Sequence, residues 1–152
     1  MQLDTIDRAI LRVLQKSGRI SNADLSENVG LSPSACHRRV QRLERGGVVR
    51  DYVALLEPKS IGLASTVFVE IKLSGQVDEI LEAFETAVAK VPEVLECHLM
   101  AGTADYILKV VADGTEDFAR IHRQHLARLP GVQQMQSSFA LRTVFKTTAL
   151  PV

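Results

Sequence analysis

An α+β protein in two parts is what this sequence predicts: a winged helix-turn-helix head, then a ferredoxin-like βαββαβ sandwich. Three observations lead there. Through the first 45 positions, apolar residues recur at helical spacing in three segments separated by glycines and serines. Beyond position 65, stretches that alternate with period two trade places with helical ones in the order β-α-β-β-α-β. The length, 152 residues, 46% apolar and 24% charged with five prolines, suits two small cores and argues against long disorder.

In the head, Asp4 can cap a helix that begins near Thr5, with Asp7 in its first turn and Ile6, Ile10, Val13 and Leu14 as its apolar stripe; Gly18 ends it. Ser21, with Asp24 three residues on, reads as a capping box for a short helix whose Leu25 and Val29 lie one turn apart before Gly30 stops it. Ser32 caps a third helix, with Pro33 at its first position. Gly30-Leu31-Ser32 is then a tight turn in which Leu31 can plug the gap between two helices, the grammar of a helix-turn-helix. Gly46-Gly47 closes the third helix, and residues 48–56 read as β structure, a wing and then a strand leading out of the head. Pro58 and Gly62 mark a linker, so the boundaries predicted are 1–53 for the head, 54–65 for the link and 66–152 for the second part.

Winding the third helix at about 100° per residue gathers Cys36, Val40 and Leu43 on a core face. The opposite face carries Ser34, Arg38, Gln41 and Arg45, with Ser32 at the helix start, His37 and Arg42 on the flanks, and Arg39 nearer the core edge. Long cationic and amide side chains suit a major groove, where Arg grips guanine bidentately and Gln does the same with adenine. A solvated helix face would use the same residue types; the capped helix before it, the three-residue turn and the charge distribution decide for the groove. Net charge is zero, yet residues 1–56 hold nine Lys/Arg against six Asp/Glu and residues 57–152 hold nine against twelve, so the halves carry +3 and −3. Double-stranded DNA is the partner that fits the positive half.

In the second part, Thr66–Leu73 alternates as a strand, with Val67, Val69, Ile71 and Leu73 on one face and Thr66, Phe68, Glu70 and Lys72 on the other. Asp78–Lys90 is an amphipathic helix that Pro92 bars from continuing. Val94–Ala101 and Tyr106–Ala112 are apolar-rich strands joined by a hairpin turn; Thr115 then caps a helix that carries Phe118, Ile121, Leu126 and Leu129 up to Pro130, and Val132–Thr147 is a long final strand. Such an order gives a four-stranded antiparallel sheet with both helices on one face. Its bare face, partly apolar, calls for cover by another copy of the chain.

Gly102-Thr103-Ala104-Asp105 is the one polar break worth weighing as a ligand site. Free N–H groups in such a turn attract the carboxylate of an amino acid and Asp105 its ammonium; an ordinary hairpin turn is the competing reading. Cys36 and Cys97, 61 positions apart without a Cys-x-x-Cys partner, are expected to be buried free thiols. His122 and His125 share a helix face, but no carboxylate or cysteine at ligand spacing joins them, so no metal is expected. The absence of a phosphate loop, a nucleophile elbow or a carboxylate pair tied to a base argues against catalytic residues and against a cofactor. No run approaches a membrane span and the start, MQLDTIDRAI, lacks the basic and apolar regions of a signal peptide, so the expected location is the cytoplasm, with no membrane partner.

The ordered series Leu3-Asp4, Asp7-Arg8, Ile10-Leu11, Gly18-Arg19-Ile20-Ser21, Val29-Gly30-Leu31-Ser32, Arg39-Val40, Leu43-Glu44 and Gly47-Val48 resembles the Lrp/AsnC (feast/famine) family of transcription regulators, as do Glu96-Cys97-His98-Leu99, Asp105-Tyr106 and Leu129-Pro130-Gly131-Val132 further on. The resemblance implies a winged head joined by a strand to an amino-acid-sensing domain, and homodimers that often assemble into octamers, working at the nucleoid. It implies an effector between sensor domains, near the turn that matches Met100, Ala101, Gly102, Thr103 and Asp105 and the strand that matches Gln136, Ser137 and Ser138. Two departures matter. Many members have an acid after the glycine where this chain has Thr103, which bears on effector identity, and Arg50-Asp51 stands where a glycine commonly precedes the tyrosine, which bears on the wing. The expected function is a sequence-specific regulator whose activity or assembly responds to an amino acid or related metabolite. A small ferredoxin-like metabolite-binding module or enzyme, and a DNA-architectural protein without effector, stand as alternatives.

Overall fold

A computed structural model describes residues 2–152 as two compact units, one formed by the chain up to Leu55 together with Phe145–Val152, the other by Leu56–Val144. The head unit holds α1 (Thr5–Leu14), α2 (Asn22–Val29) and α3 (Pro33–Arg45). Each begins on the residue the sequence marks. Asp7 N–H donates to Asp4 Oδ1 at 2.8 Å while the Asp7 carboxylate accepts from Asp4 N–H at 3.1 Å, a reciprocal capping box. Ser21 accepts from Asp24 N–H, and Ser32 from Ala35 N–H behind Pro33. Gly30 takes φ 67°, a left-handed conformation cheap only for glycine, which lets Leu31 N–H donate back to Ser26 O at 2.9 Å. Ile10, Leu11, Leu25, Cys36 and Leu43 are buried at the centre, with Leu31 and Val40 packed against them.

The Leu56–Val144 unit is the antiparallel sheet β2-β3-β1-β4, built from β1 (Ser65–Leu73), β2 (Val94–Leu99), β3 (Tyr106–Ala112) and β4 (Val132–Phe139). Two helices, α4 (Asp78–Val88) and α5 (Gly114–Gln124), share its single core. Val67, Val69, Ile71 and Leu73 of β1 are buried with Leu108 and Val110 of β3 against Phe84, Val88, Phe118 and Ile121, while Phe68, Glu70 and Lys72 are exposed on the other face. Each such burial contributes about 1.5–3 kcal/mol of transfer free energy. Gly131, at φ 73°, starts β4 where a Cβ would come within 2.9 Å of Ile80 Cγ2, so both backbone and space require glycine there.

Several boundaries differ from the sequence pattern. Residues 48–56 form no strand: a ladder needs a partner, and no second strand lies beside this segment among the described residues of its unit. β4 stops at Phe139 instead of running to Thr147, because its partner β1 runs out; the last bond is Ala140 N–H to Thr66 O. β2 ends at Leu99 and α4 at Val88. α5 starts at Gly114 without Thr115 as its cap, since Asp117 Oδ2 accepts Asp113 N–H at 2.9 Å, and it breaks at His125 before a separate short 3₁₀ turn that carries Leu126 into the core. Cys97 is exposed, because β2 is an edge strand; Cys36 is buried as expected.

Candidate nucleic-acid interface and ligand site

α3 is held by one buried carboxylate. Asp7 is fully buried, and its two oxygens accept from Arg39 Nη1 at 2.9 Å and from Arg42 Nη2; Arg39 also reaches Asp4 at 2.6 Å. A buried carboxylate needs this compensation, and here both cations come from α3, so α1 and α3 are locked by charge as well as by packing. The Asp7 N–H and then the Arg39 guanidinium lower the Asp4 carboxyl to about 2. Tyr52, following α3, donates its hydroxyl to Glu44 Oε1 at 2.9 Å; partial burial and then that carboxylate raise its phenol to about 12.

The sequence-predicted groove face divides accordingly. Ser32, Ser34, His37, Arg38 and Arg45 are exposed and Gln41 is half-buried. Among the described residues, Arg38 and Arg45 take part in no ion pair, whereas Arg42, also exposed, is committed to Asp7. Ser32 spends its hydroxyl as the helix cap. One row, Ser34, Arg38, Gln41 and Arg45, is thus presented at helical spacing with its two cations unneutralised.

In the other unit, the β2–β3 turn leaves Met100, Ala101, Gly102 and Thr103 exposed and Asp105 buried. Asp105 points into the protein: Leu73 N–H donates to its Oδ2 and Gln76 Nε2 to its Oδ1, both at 2.7 Å, and its own N–H donates to Ile71 O. The Leu73 N–H and then Gln76 hold its carboxyl below the usual range. Lys72 Nζ donates to Thr103 O, and Met100 N–H to Asp105 O. The amides of residues 101–104 have no backbone partner among the described residues. Gln136, Ser137 and Ser138 are exposed on edge strand β4, paired with Glu70, Val69 and Phe68 of β1. β1 stands between this trio and the turn, about 10 Å across two strand spacings. Met135, next to Gln136, pairs with Ile71, the residue whose carbonyl holds Asp105.

Residues 3–50 match the winged helix-turn-helix DNA-binding model, and residues 66–150, more than half of the chain, match the Lrp/AsnC ligand binding domain. The chain belongs to the Lrp/AsnC family. The leucine-responsive regulatory protein of Escherichia coli K12 is 43% identical to this Lrp/AsnC chain over 150 residues, 99% of this chain and 92% of that protein. Among solved structures, a transcriptional regulator of Neisseria meningitidis in complex with L-Met superposes with a TM-score of 0.94 at 41% identity, covering 99% of this chain and 97% of that one. An AsnC family transcriptional regulator from Agrobacterium tumefaciens does so at 0.94 and 38% identity, covering 98% and 97%. This Lrp/AsnC protein is a DNA-binding transcription regulator with a ligand-binding domain, and its relatives are regulators rather than enzymes. No helix among the described residues is long and apolar enough to cross a membrane.

Sequence reasoning missed the supporting residues around both candidate sites. Asp4 was legible as a cap and Asp7 as a first-turn acid, but neither as an anchor of Arg39 and Arg42, a contact across more than 30 positions. Gln76 lies in a loop, with no pattern to tie it to Asp105.

Proposed function

We propose that this Lrp/AsnC regulator reads operator DNA with the α3 row Ser34, Arg38, Gln41 and Arg45, supported by Ser32 and His37, and changes affinity or assembly when an amino acid binds at the Met100–Asp105 turn. The observation that carries the DNA reading is the split among the α3 arginines: two are tied to Asp7 and Asp4, and two are left for a polyanion. Arg42, held by one nitrogen, assists from the flank.

At the turn, the unpartnered amides of residues 101–104 suit the effector carboxylate, and Asp105 acts from beneath by fixing the turn to Leu73 and Gln76. Gln136, Ser137 and Ser138 complete the pocket from a second copy, a reading supported by the strand that separates them from the turn within one chain. The sheet face that bears Phe68, Ile107, Glu70 and Lys109 supports a homodimer, and dimers stack further toward an octamer at the nucleoid, in the cytoplasm. Residues 1–53 serve as the head together with the returning segment 145–152, 54–65 as the link and 66–144 as the sensor. An effector can act only by binding two assembly or DNA-affinity states unequally.

The test is a calorimetric panel of the twenty amino acids on the parent and on Asp105→Ala, followed by DNA binding with and without any hit. At least one amino acid binds the parent and shifts its DNA affinity, and Asp105→Ala loses that response. Equal responses in the two proteins sink the turn as the sensor site.

A further inference from the structure

The outer side of α1 is an interaction surface with an occupant already seated on it. Gln15, the C-cap of α1, donates Nε2 to Leu150 O at 3.0 Å and accepts Leu150 N–H on Oε1 at 2.5 Å, so one carboxamide grips both backbone groups of a residue 135 positions away. One turn earlier, Arg12 Nη1 donates to Val152 O at 2.8 Å. Val152 is half-buried and packs on the head's core cluster beside residues of α1. Backbone bonds that give affinity and one side chain in a pocket that gives specificity are how proteins capture extended peptides. The chain therefore enters the head's unit twice, once at its start and again after Val144, following β4.

We propose that Leu150–Val152 is a docked part of the DNA-binding head, a clasp on α1 that keeps α1, and through Asp7 the recognition helix, in its DNA-competent arrangement. The clasp belongs to the class of positioning elements: it touches no DNA and acts through the lock of Arg39 and Arg42 on Asp7. It also makes the head's second covalent line to the ligand domain start from the strand that bears Gln136–Ser138.

Full-length Gln15→Glu, Gln15→Ala, Val152→Asp and a chain shortened by residues 150–152 are compared with the parent by hydrogen–deuterium exchange and by affinity for a duplex that the parent selects from genomic fragments. Gln15→Glu keeps an acceptor for Leu150 N–H but loses the donor, so it falls between the parent and Gln15→Ala. Gln15→Ala releases two of these exposed bonds, the shortening all three and Val152→Asp the packing of the side chain, so in each of the three α1 amides exchange about three- to tenfold faster and DNA affinity falls by a similar factor, while β1 exchange is unchanged. A peptide of sequence Thr-Thr-Ala-Leu-Pro-Val, added to the shortened chain, slows α1 exchange again. Unchanged α1 exchange in both Val152→Asp and Gln15→Ala overturns the clasp, and faster α1 exchange with undiminished DNA affinity overturns its role in DNA binding.

Discussion

Asp7 shows how one residue can be read correctly from sequence and still be under-read. The pattern predicts it as an acid in the first turn of α1, and there it also accepts Asp4 N–H; its burial and its two arginine partners come from the packing of α3 against it. The asymmetry of burial sets the mutational result. Arg39 and Arg42 are 28% and 49% exposed in their side chains, so each can return to water if Asp7 is neutralised, whereas Asp7 cannot if they are removed. Asp7→Asn therefore costs less than the pair Arg39→Ala with Arg42→Ala, which strands a buried carboxylate at about 3–5 kcal/mol. Denaturant unfolding of the two variants checks the order, and a costlier Asp7→Asn refutes it. Asp4 gives a pH signature. Its folded-state value of about 2 lies below the ordinary 3.8 of an aspartate, so its contribution is complete above about pH 4 and is lost as pH falls toward 2. Asp4→Asn removes that part of the acid dependence, and an unchanged acid midpoint relative to the parent's own neutral stability argues against the shift.

At the scale of elements, α3 was the most legible. Ser32, Pro33, the core positions Cys36 and Leu43 and the closing glycines fall where the sequence puts them, because capping and a 3.6-residue period are local properties. The same row carries a prediction. Arg38→Ala or Gln41→Ala weakens specific binding by about 1–3 kcal/mol if the side chain reads a base edge, and Arg45→Ala lowers the salt slope of binding by about one if it meets phosphate. Gel shifts across a salt series measure both, and three unchanged variants would remove this face from the interface. β1 was equally legible through its alternation. Residues 48–56 were not: β-branched and aromatic residues advertise a strand, but a strand exists only where another backbone completes its ladder. The long final strand failed for the same reason once β1 ended.

The whole molecule adds what neither residue nor element contains. The uncovered sheet face mixes Phe68 at 43% exposure with Glu70, Lys72 and the Glu96–Lys109 pair at 2.8 Å, an apolar centre with a charged surround suited to a second copy. If copies pair through this face as proposed, Phe68→Glu, which sets a carboxylate in that centre, shifts sedimentation velocity toward smaller species at matched concentration; an unaltered distribution rules this face out as a contact between copies. From sequence alone came the two-part α+β plan, the three capped helices of the head, the alternating β1, the exposed row Ser34, Arg38, Gln41 and Arg45 of α3 and the place of the β2–β3 turn, most of them written in spacings of two to four residues. Tertiary structure alone decided which arginines of α3 serve Asp7 and which take part in no ion pair, that Asp105 faces inward onto Leu73 and Gln76, and that residues 145–152 return to the head. Those outcomes turn on contacts between groups about 30 to 140 positions apart, where buried charge and hydrogen-bond satisfaction, not local propensity, choose the partner.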